Sequence, residues 1–191
     1  DVVCIKTDDA LFMDAKTEKG EKLLSVIAEF TESTDGKEAA DTAGVIRERL
    51  KKLPLSSLSA EAFGDGKTSK FFDAPEWKEL SQTCLGCGTC TFVCPTCQCY
   101  DIKDFNTGHG VKRFRCWDSC MYSDFTKMAG GNPRLTQKER FRQRFMHKLV
   151  YYPANNEGLY SCVGCGRCLV KCPISMNIVK VIKTLGVKDH E

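Results

Sequence analysis

The chain has 191 residues, a formal net charge of +3, 42% hydrophobic and 28% charged residues, a globular composition that excludes disorder over its length. No run approaches the roughly 18 continuous apolar residues of a membrane helix, so no membrane span is expected. Residues 1–80 carry 12 basic and 17 acidic side chains, residues 81–99 carry none, and residues 100–150 carry 11 basic and 5 acidic, which places a basic face in the middle of the chain.

Residues 1–30 alternate short apolar runs (2–5, 10–15, 23–27) with polar turns, and predict short strands or a hairpin around Gly20. The chain begins at Asp1 rather than methionine, so something upstream is expected to have been removed or left out. From 38 to 52, Ala39, Ala43, Ile46, Leu50 and Leu53 recur at helical spacing, and Pro54 stops the pattern. The stretch from Gly64 to Ser69 reads as a linker and divides the chain into 1–66 and 67–191. Asp73-Ala-Pro75-Glu-Trp77 predicts a capped helix leading into the first cysteine motif. A further helix is expected over 136–150, with Phe141, Phe145, Met146 and Leu149 on one side. Its basic remainder (Arg140, Arg142, Arg144, Lys148) is left to meet an acidic partner or flavin phosphates. In the last predicted helix, over 174–185, Ile178, Val181, Ile182 and Leu185 form one stripe that Gly186 ends.

The 13 cysteines carry most of the information. Cys84, Cys87, Cys90 and Cys94-Pro95 repeat the spacing of Cys162, Cys165, Cys168 and Cys172-Pro173. Both read C-x-x-C-x-x-C-x-x-x-C-P, the bacterial ferredoxin signature for [4Fe–4S] clusters. A cubane needs four thiolates converging from different directions, and a tight triplet wraps one side of it. The interleaved Gly86, Gly88, Gly164 and Gly166 permit the unusual backbone angles this demands. In two-cluster ferredoxins the fourth cysteine serves the other cluster. One cluster is therefore assigned to Cys84, Cys87, Cys90 and Cys172, the other to Cys162, Cys165, Cys168 and Cys94. A disulfide scaffold fits poorly, because the cysteine count is odd and the chain is long enough for a core. Structural zinc uses paired knuckles rather than triplets followed by Cys-Pro.

Four thiols remain between the motifs: Cys97, Cys99, Cys116 and Cys120. They read either as buried packing thiols or as a third metal site or redox pair, although their spacing is no standard cluster signature. The 67 residues between Cys94 and Cys162 exceed what a compact β-rich ferredoxin uses. With helices before, between and after, the expected fold is mainly α: an α-helical ferredoxin-like two-cluster domain with a long helical insertion at 100–160, preceded by a small α/β segment.

Beyond the thiols, Trp77-x-x-Leu80, the run from Cys84 to Cys99, Trp117-Asp-Ser-Cys120-Met, Met128-Ala-Gly-Gly-Asn-Pro, Arg140-Phe-Arg-x-Arg-Phe-x-His-Lys and Tyr160-x-Cys-Val-Gly-Cys-Gly-Arg-Cys resemble one family. It comprises iron–sulfur proteins similar to the beta subunit of sulfhydrogenase and to the corresponding iron–sulfur subunit of anaerobic sulfite reductase. The resemblance covers about 70–185, and residues 1–35 resemble the end of the α/β region that precedes the ferredoxin part there. It implies an electron relay linking a partner to a flavin or catalytic subunit in a cytoplasmic anaerobic complex. The partners implied are flavoprotein, hydrogenase or reductase subunits. Cys97, Cys99 and Cys120 lie inside the matching motifs and become candidates for a third iron–sulfur site; Cys116 does not belong to the pattern. The chain lacks most of the family's upstream domain.

Three functions compete. An electron-transfer subunit, with no enzymatic activity in isolation, agrees with two clusters and no accompanying acid–base constellation; His109, His147 and His190 are scattered. An enzyme would use the surplus thiols as a thiol- or cluster-based active site, and needs an exposed, low-pKa cysteine. A nucleic-acid-binding protein would use the basic middle segment, but Phe141 and Phe145 lie on the apolar face, and no nucleic-acid partner is expected. Gly108-His-Gly110 and Gly130-Gly131 read as turns, not nucleotide loops.

Overall fold

A computed structural model describes residues 1–64 and 68–186. Residues 65–67 of the expected linker, and His190, lie outside the described residues. The chain divides into two compact units, Asp1–Ser57 and Leu58–Glu191.

In the first unit, β1 (Val2–Lys6) pairs antiparallel with β2 (Leu11–Ala15), with Val2 opposite Ala15 and Lys6 opposite Leu11. The turn lies at Thr7–Ala10, where the Thr7 N–H donates to the Ala10 carbonyl at 2.9 Å. The hairpin expected around Gly20 is therefore displaced toward the N-terminus. Gly20 instead sits inside α1 (Glu18–Val26), whose N-cap is Thr17 and whose first turn carries Glu18 and Glu21. Thr17-Glu-Lys-Gly is a helix start: the Thr17 hydroxyl accepts from the Gly20 N–H at 3.3 Å, and the acidic residues favour the positive end of the helix dipole. A 15-residue helix, α2 (Lys37–Lys51), ends just before Pro54. Among the described residues of this unit only Gly20 and Ala39 are buried.

The second unit holds the core. Five short or medium helices build it: α3 (Thr68–Phe72), α4 (Glu76–Gln82), α5 (Thr89–Phe92), α6 (Gln137–Met146) and, after the second motif, α9 (Ile178–Leu185), with α7 (Tyr152–Asn155) and α8 (Arg167–Lys171) between. α6 packs on α3 and α4, and α4 packs on α9. Ile178, Val181, Ile182 and Leu185 are all buried, as the stripe predicts. They meet Trp77, Leu80, Phe141, Phe145, Met146, Leu149 and Val150 in one cluster. Trp77 also donates its indole N–H to the Phe71 carbonyl at 2.6 Å, which satisfies the polar atom its burial brings inside. α4 begins at Glu76 behind Pro75, with no side-chain cap from Asp73.

The helix expected over 136–150 starts where its sequence says. Thr136 accepts from the Glu139 N–H at 3.4 Å and the Glu139 carboxylate accepts from the Thr136 N–H at 2.7 Å, a reciprocal capping box. It does not run through uniformly: His147–Tyr151 widens into a π-helical turn, a local insertion that often accompanies function.

The mainly α expectation is corrected. Helices make up 40% of the chain, and each unit contains a two-stranded antiparallel sheet. In the second unit, β3 (Tyr100–Asn106) pairs with β4 (Val111–Trp117), so the segment expected as a helical insertion opens with a hairpin. Its strands are rich in aromatic and β-branched residues, and the Asn106-Thr-Gly-His-Gly110 connection supplies positive φ at Gly108 (81°) and Gly110 (151°). Asp104 and Arg113 face each other across the ladder and pair through two bonds of 2.7 Å. The hairpin leaves Tyr100, Ile102, Phe105, Val111, Phe114 and Trp117 exposed.

Candidate metal centre

The two cysteine motifs fold along the same local path. φ is 66° at Gly86 and 65° at Gly164, then 72° at Gly88 and 73° at Gly166, the left-handed region that a side chain disfavours. Gly88 and Gly166 are the N-caps of α5 and α8. The Thr91 N–H donates to the Gly88 carbonyl at 2.9 Å, and the Leu169 N–H donates to the Gly166 carbonyl at 2.9 Å. α5 and α8 pack against each other, so the sequence repeat becomes a spatial pair. Cys87 and Cys165, the second cysteine of each triplet, are both exposed, while the other six motif cysteines are half-buried.

The structure brings Cys84, Cys87, Cys90 and Cys172 to the wall of one cavity, shared with Leu85, Met121, Phe141 and Arg144. Gln137 donates its amide to Cys84 Sγ at 3.4 Å, and the Met176 N–H donates to Cys172 Sγ at 3.2 Å. Burial pushes the Cys90 thiol up, opposed by the positive charge of Arg144. Arg144 is 4% exposed, and its Nε has no hydrogen-bond partner. Four thiols around a volume, with an orphaned cationic nitrogen in the wall, fit an anionic thiolate-bound cluster. Among the described residues no three Cys, His, Asp or Glu side chains close on a point that could hold a single metal ion, the arrangement structural zinc would need.

The second set is joined through Lys148. Its ammonium donates to Cys94 Sγ at 3.3 Å, to Thr96 Oγ1 at 3.2 Å and to the Ser161 carbonyl at 2.9 Å, while Thr96 also donates to that carbonyl at 3.0 Å. Cys94 of the first motif is thereby tied to the residue preceding Cys162. A hydrogen bond from Cys97, reinforced by Thr96 and by the charge of Lys148, draws the Cys94 thiol down to about 4, the ionised form that binds metal. Burial works against the charge of Lys148, yet the Cys97 and Cys94 sulfurs outweigh it and hold its pKa above that of an ordinary lysine.

The surplus thiols divide. Cys97 bonds Cys94, Cys99 bonds Cys120, and Cys120 also feels the charge of Cys97. The bond from Cys120 draws Cys99 down to about 6, and the same bond together with burial raises Cys120. Cys116 stands apart on β4, beside the Asp101 carbonyl, and Cys4 is exposed on β1. His109 lies in the hairpin turn and His147 is exposed.

Residue chemistry alone missed Arg144 and Lys148, expected to face a partner and found 4% and 3% exposed. The signal was their position three residues after Phe141 and Phe145, on the edge of the apolar stripe. The other two arginines are also engaged internally. Arg142 stacks 3.6 Å over the Phe72 ring and donates to the Phe72 carbonyl, and Arg140 donates to the carbonyls of Arg134 and Leu135.

The paired glycines make an asymmetric prediction. A Cβ on Gly88 would sit 2.9 Å from the Tyr122 ring, whereas one on Gly166 meets nothing within 4 Å. Both alanine variants should lose roughly 1–3 kcal/mol to backbone strain. Gly88→Ala should lose more and should retain less iron, because Tyr122 must also move. Urea midpoints and iron per chain for the two variants check this; equal losses would refute it.

Residues 83–176 match the model of the family described as the 4Fe-4S dicluster domain. Over 137 residues the chain is 39% identical to sulfhydrogenase 2 subunit beta of Pyrococcus furiosus, an alignment covering 71% of this chain and 40% of that protein. The chain thus spans well under half the length of the curated relative it matches. No solved structure matches it.

Proposed function

We propose, from the premise that this chain is an iron–sulfur protein carrying a 4Fe-4S dicluster domain over residues 83–176, that it is the electron-transfer subunit of a sulfhydrogenase-like oxidoreductase complex. The domain implies two [4Fe–4S] clusters, each of which supplies a one-electron carrier when bound. Cys84, Cys87 and Cys90 with Cys172 hold the first; Cys162, Cys165 and Cys168 with Cys94 hold the second. The observation that carries this reading is the cavity in which a cysteine of the second motif joins three of the first. The packing of α5 on α8 sets the two thiol groups side by side, as an electron relay requires. The partners are flavoprotein and catalytic subunits of hydrogenase or reductase type, in the cytoplasm. Among the described residues no helix is long and apolar enough to cross a membrane.

The test is to offer the isolated, cluster-loaded chain a strong one-electron reductant, then hydrogen, reduced flavin or sulfite, with and without the other subunits. The chain alone should take up electrons and turn over none of these substrates. Steady turnover by the chain alone, lost on alkylating Cys97, Cys99 or Cys120, would make it an enzyme instead.

The neighbouring thiols favour one second reading, in which Cys97, Cys99 and Cys120 belong to a third iron–sulfur site completed by another group. Anaerobic iron and sulfide counts decide it: about eight irons per chain means two cubanes, and about twelve means three.

A further inference from the structure

Two buried cations stand beside the motif thiols, and both come from one continuous helical segment. Arg144 lies near the end of α6, and Lys148 lies one turn on, in the π-helical turn His147–Tyr151. Burying a cation is costly unless opposite charge or dense hydrogen bonding compensates it. Among the described residues, no carboxylate forms an ion pair with either. Each faces sulfur instead. Arg144 lines the cavity of Cys84, Cys87, Cys90 and Cys172 with Nε unpartnered. Lys148 commits its donors to Cys94 Sγ, Thr96 Oγ1 and the Ser161 carbonyl.

We propose that Arg144 and Lys148 are positioning residues that set the two reduction potentials separately, Arg144 raising that of the first thiol set and Lys148 that of the set containing Cys94. A thiolate-bound cluster gains one negative charge with each electron and no proton. A fixed positive charge in low-dielectric surroundings therefore stabilises the reduced state more than the oxidised one. Hydrogen bonds to ligand sulfur act in the same direction. Because the two side chains are one turn apart and address different thiol sets, a single helix adjusts both sites. The widened turn at His147–Tyr151 shifts where Lys148 emerges, which brings its ammonium to Cys94. This inference rests on the ligand sets proposed above.

The experiment is an anaerobic dithionite titration of the full, cluster-loaded chain, followed by electron paramagnetic resonance, with iron counted in every sample. Lys148→Gln should lower one midpoint by an amount equivalent to about tenfold in the equilibrium constant, which is 59 mV for one electron, and leave the other in place. Lys148→Arg should restore it. Arg144→Gln should move the other midpoint instead. Unmoved midpoints at full iron content, or both midpoints moving together in each variant, overturn the inference while the ligand sets stand. Lost iron in either glutamine variant makes that residue part of the scaffold and overturns the proposal for it. A wild-type chain that binds no iron overturns the reading beneath it.

Discussion

In a Cys172→Ser variant the cluster of the first motif is expected to be the one lost, although the substitution lies in the second. Cys172 lines the same cavity as Cys84, Cys87 and Cys90, and its sulfur is already oriented by the Met176 N–H. Serine offers a harder, less acidic ligand, and iron–sulfur clusters are held by thiolate. Cys94→Ser should mirror the result, because Cys94 Sγ is tied through Lys148 to the Ser161 carbonyl at the head of the second triplet. Each variant should fall from about eight irons to about four, and the surviving spectroscopic signal should differ between them. If each substitution removed the cluster of its own triplet, crossed ligation would be wrong. The asymmetry in the thiols makes the pair informative: Cys94 is held as thiolate by Cys97, Thr96 and Lys148, so its loss also leaves a buried ammonium without its sulfur partner. That is an additional cost of removing one member of a buried charged pair.

Much of the site was legible because ligand chemistry leaves spacing in the chain. The duplicated C-x-x-C-x-x-C-x-x-x-C-P states which residue types converge, and glycine between the thiols states which backbone angles they require. The apolar stripe of α9 and the Thr136–Glu139 cap were legible for the same reason, since each depends on residues within one helical turn. The hairpin of β3 and β4 was not. Its strands carry six charged residues, three on each, among their apolar ones, which reads as a basic segment. Only the register that sets Asp104 against Arg113 shows those charges to be cross-strand partners. The inward direction of Arg144 and Lys148 escaped the sequence for a related reason. A basic residue beside an apolar stripe is ordinarily solvated; it turns inward here because thiols from loops 52 or more residues away in sequence supply the compensating charge. The widened turn at His147–Tyr151 has no marker in composition at all.

Stripping the iron by chelation should undo the two motif segments and leave part of the helical core standing. Cys84, Cys90, Cys162 and Cys172 all pack against the core, but the centre of that core is built from other residues. Trp77, Phe141, Phe145, Val181 and Leu185 are 2% exposed or less and come from α4, α6 and α9, helices that touch one another directly. Cluster ligation instead closes the 67-residue excursion between Cys94 and Cys162, so its free energy is folding free energy for the loops it closes. Without it, α5 and α8 are short helices of four and five residues, too short to persist unaided. Their mutual packing, together with the two left-handed glycine turns in each motif, should be lost. Hydrogen exchange followed by peptide mass should show protection falling to near zero over 84–94 and 162–172, falling partly over α4, α6 and α9, and unchanged over 1–57. That first unit contains none of the ligands, and with only two buried residues among those described it should exchange quickly in both states. Undiminished protection in the motif segments would mean that the thiol loops are fixed by packing alone. Complete loss across α4, α6 and α9 would mean that the clusters hold up the whole second unit.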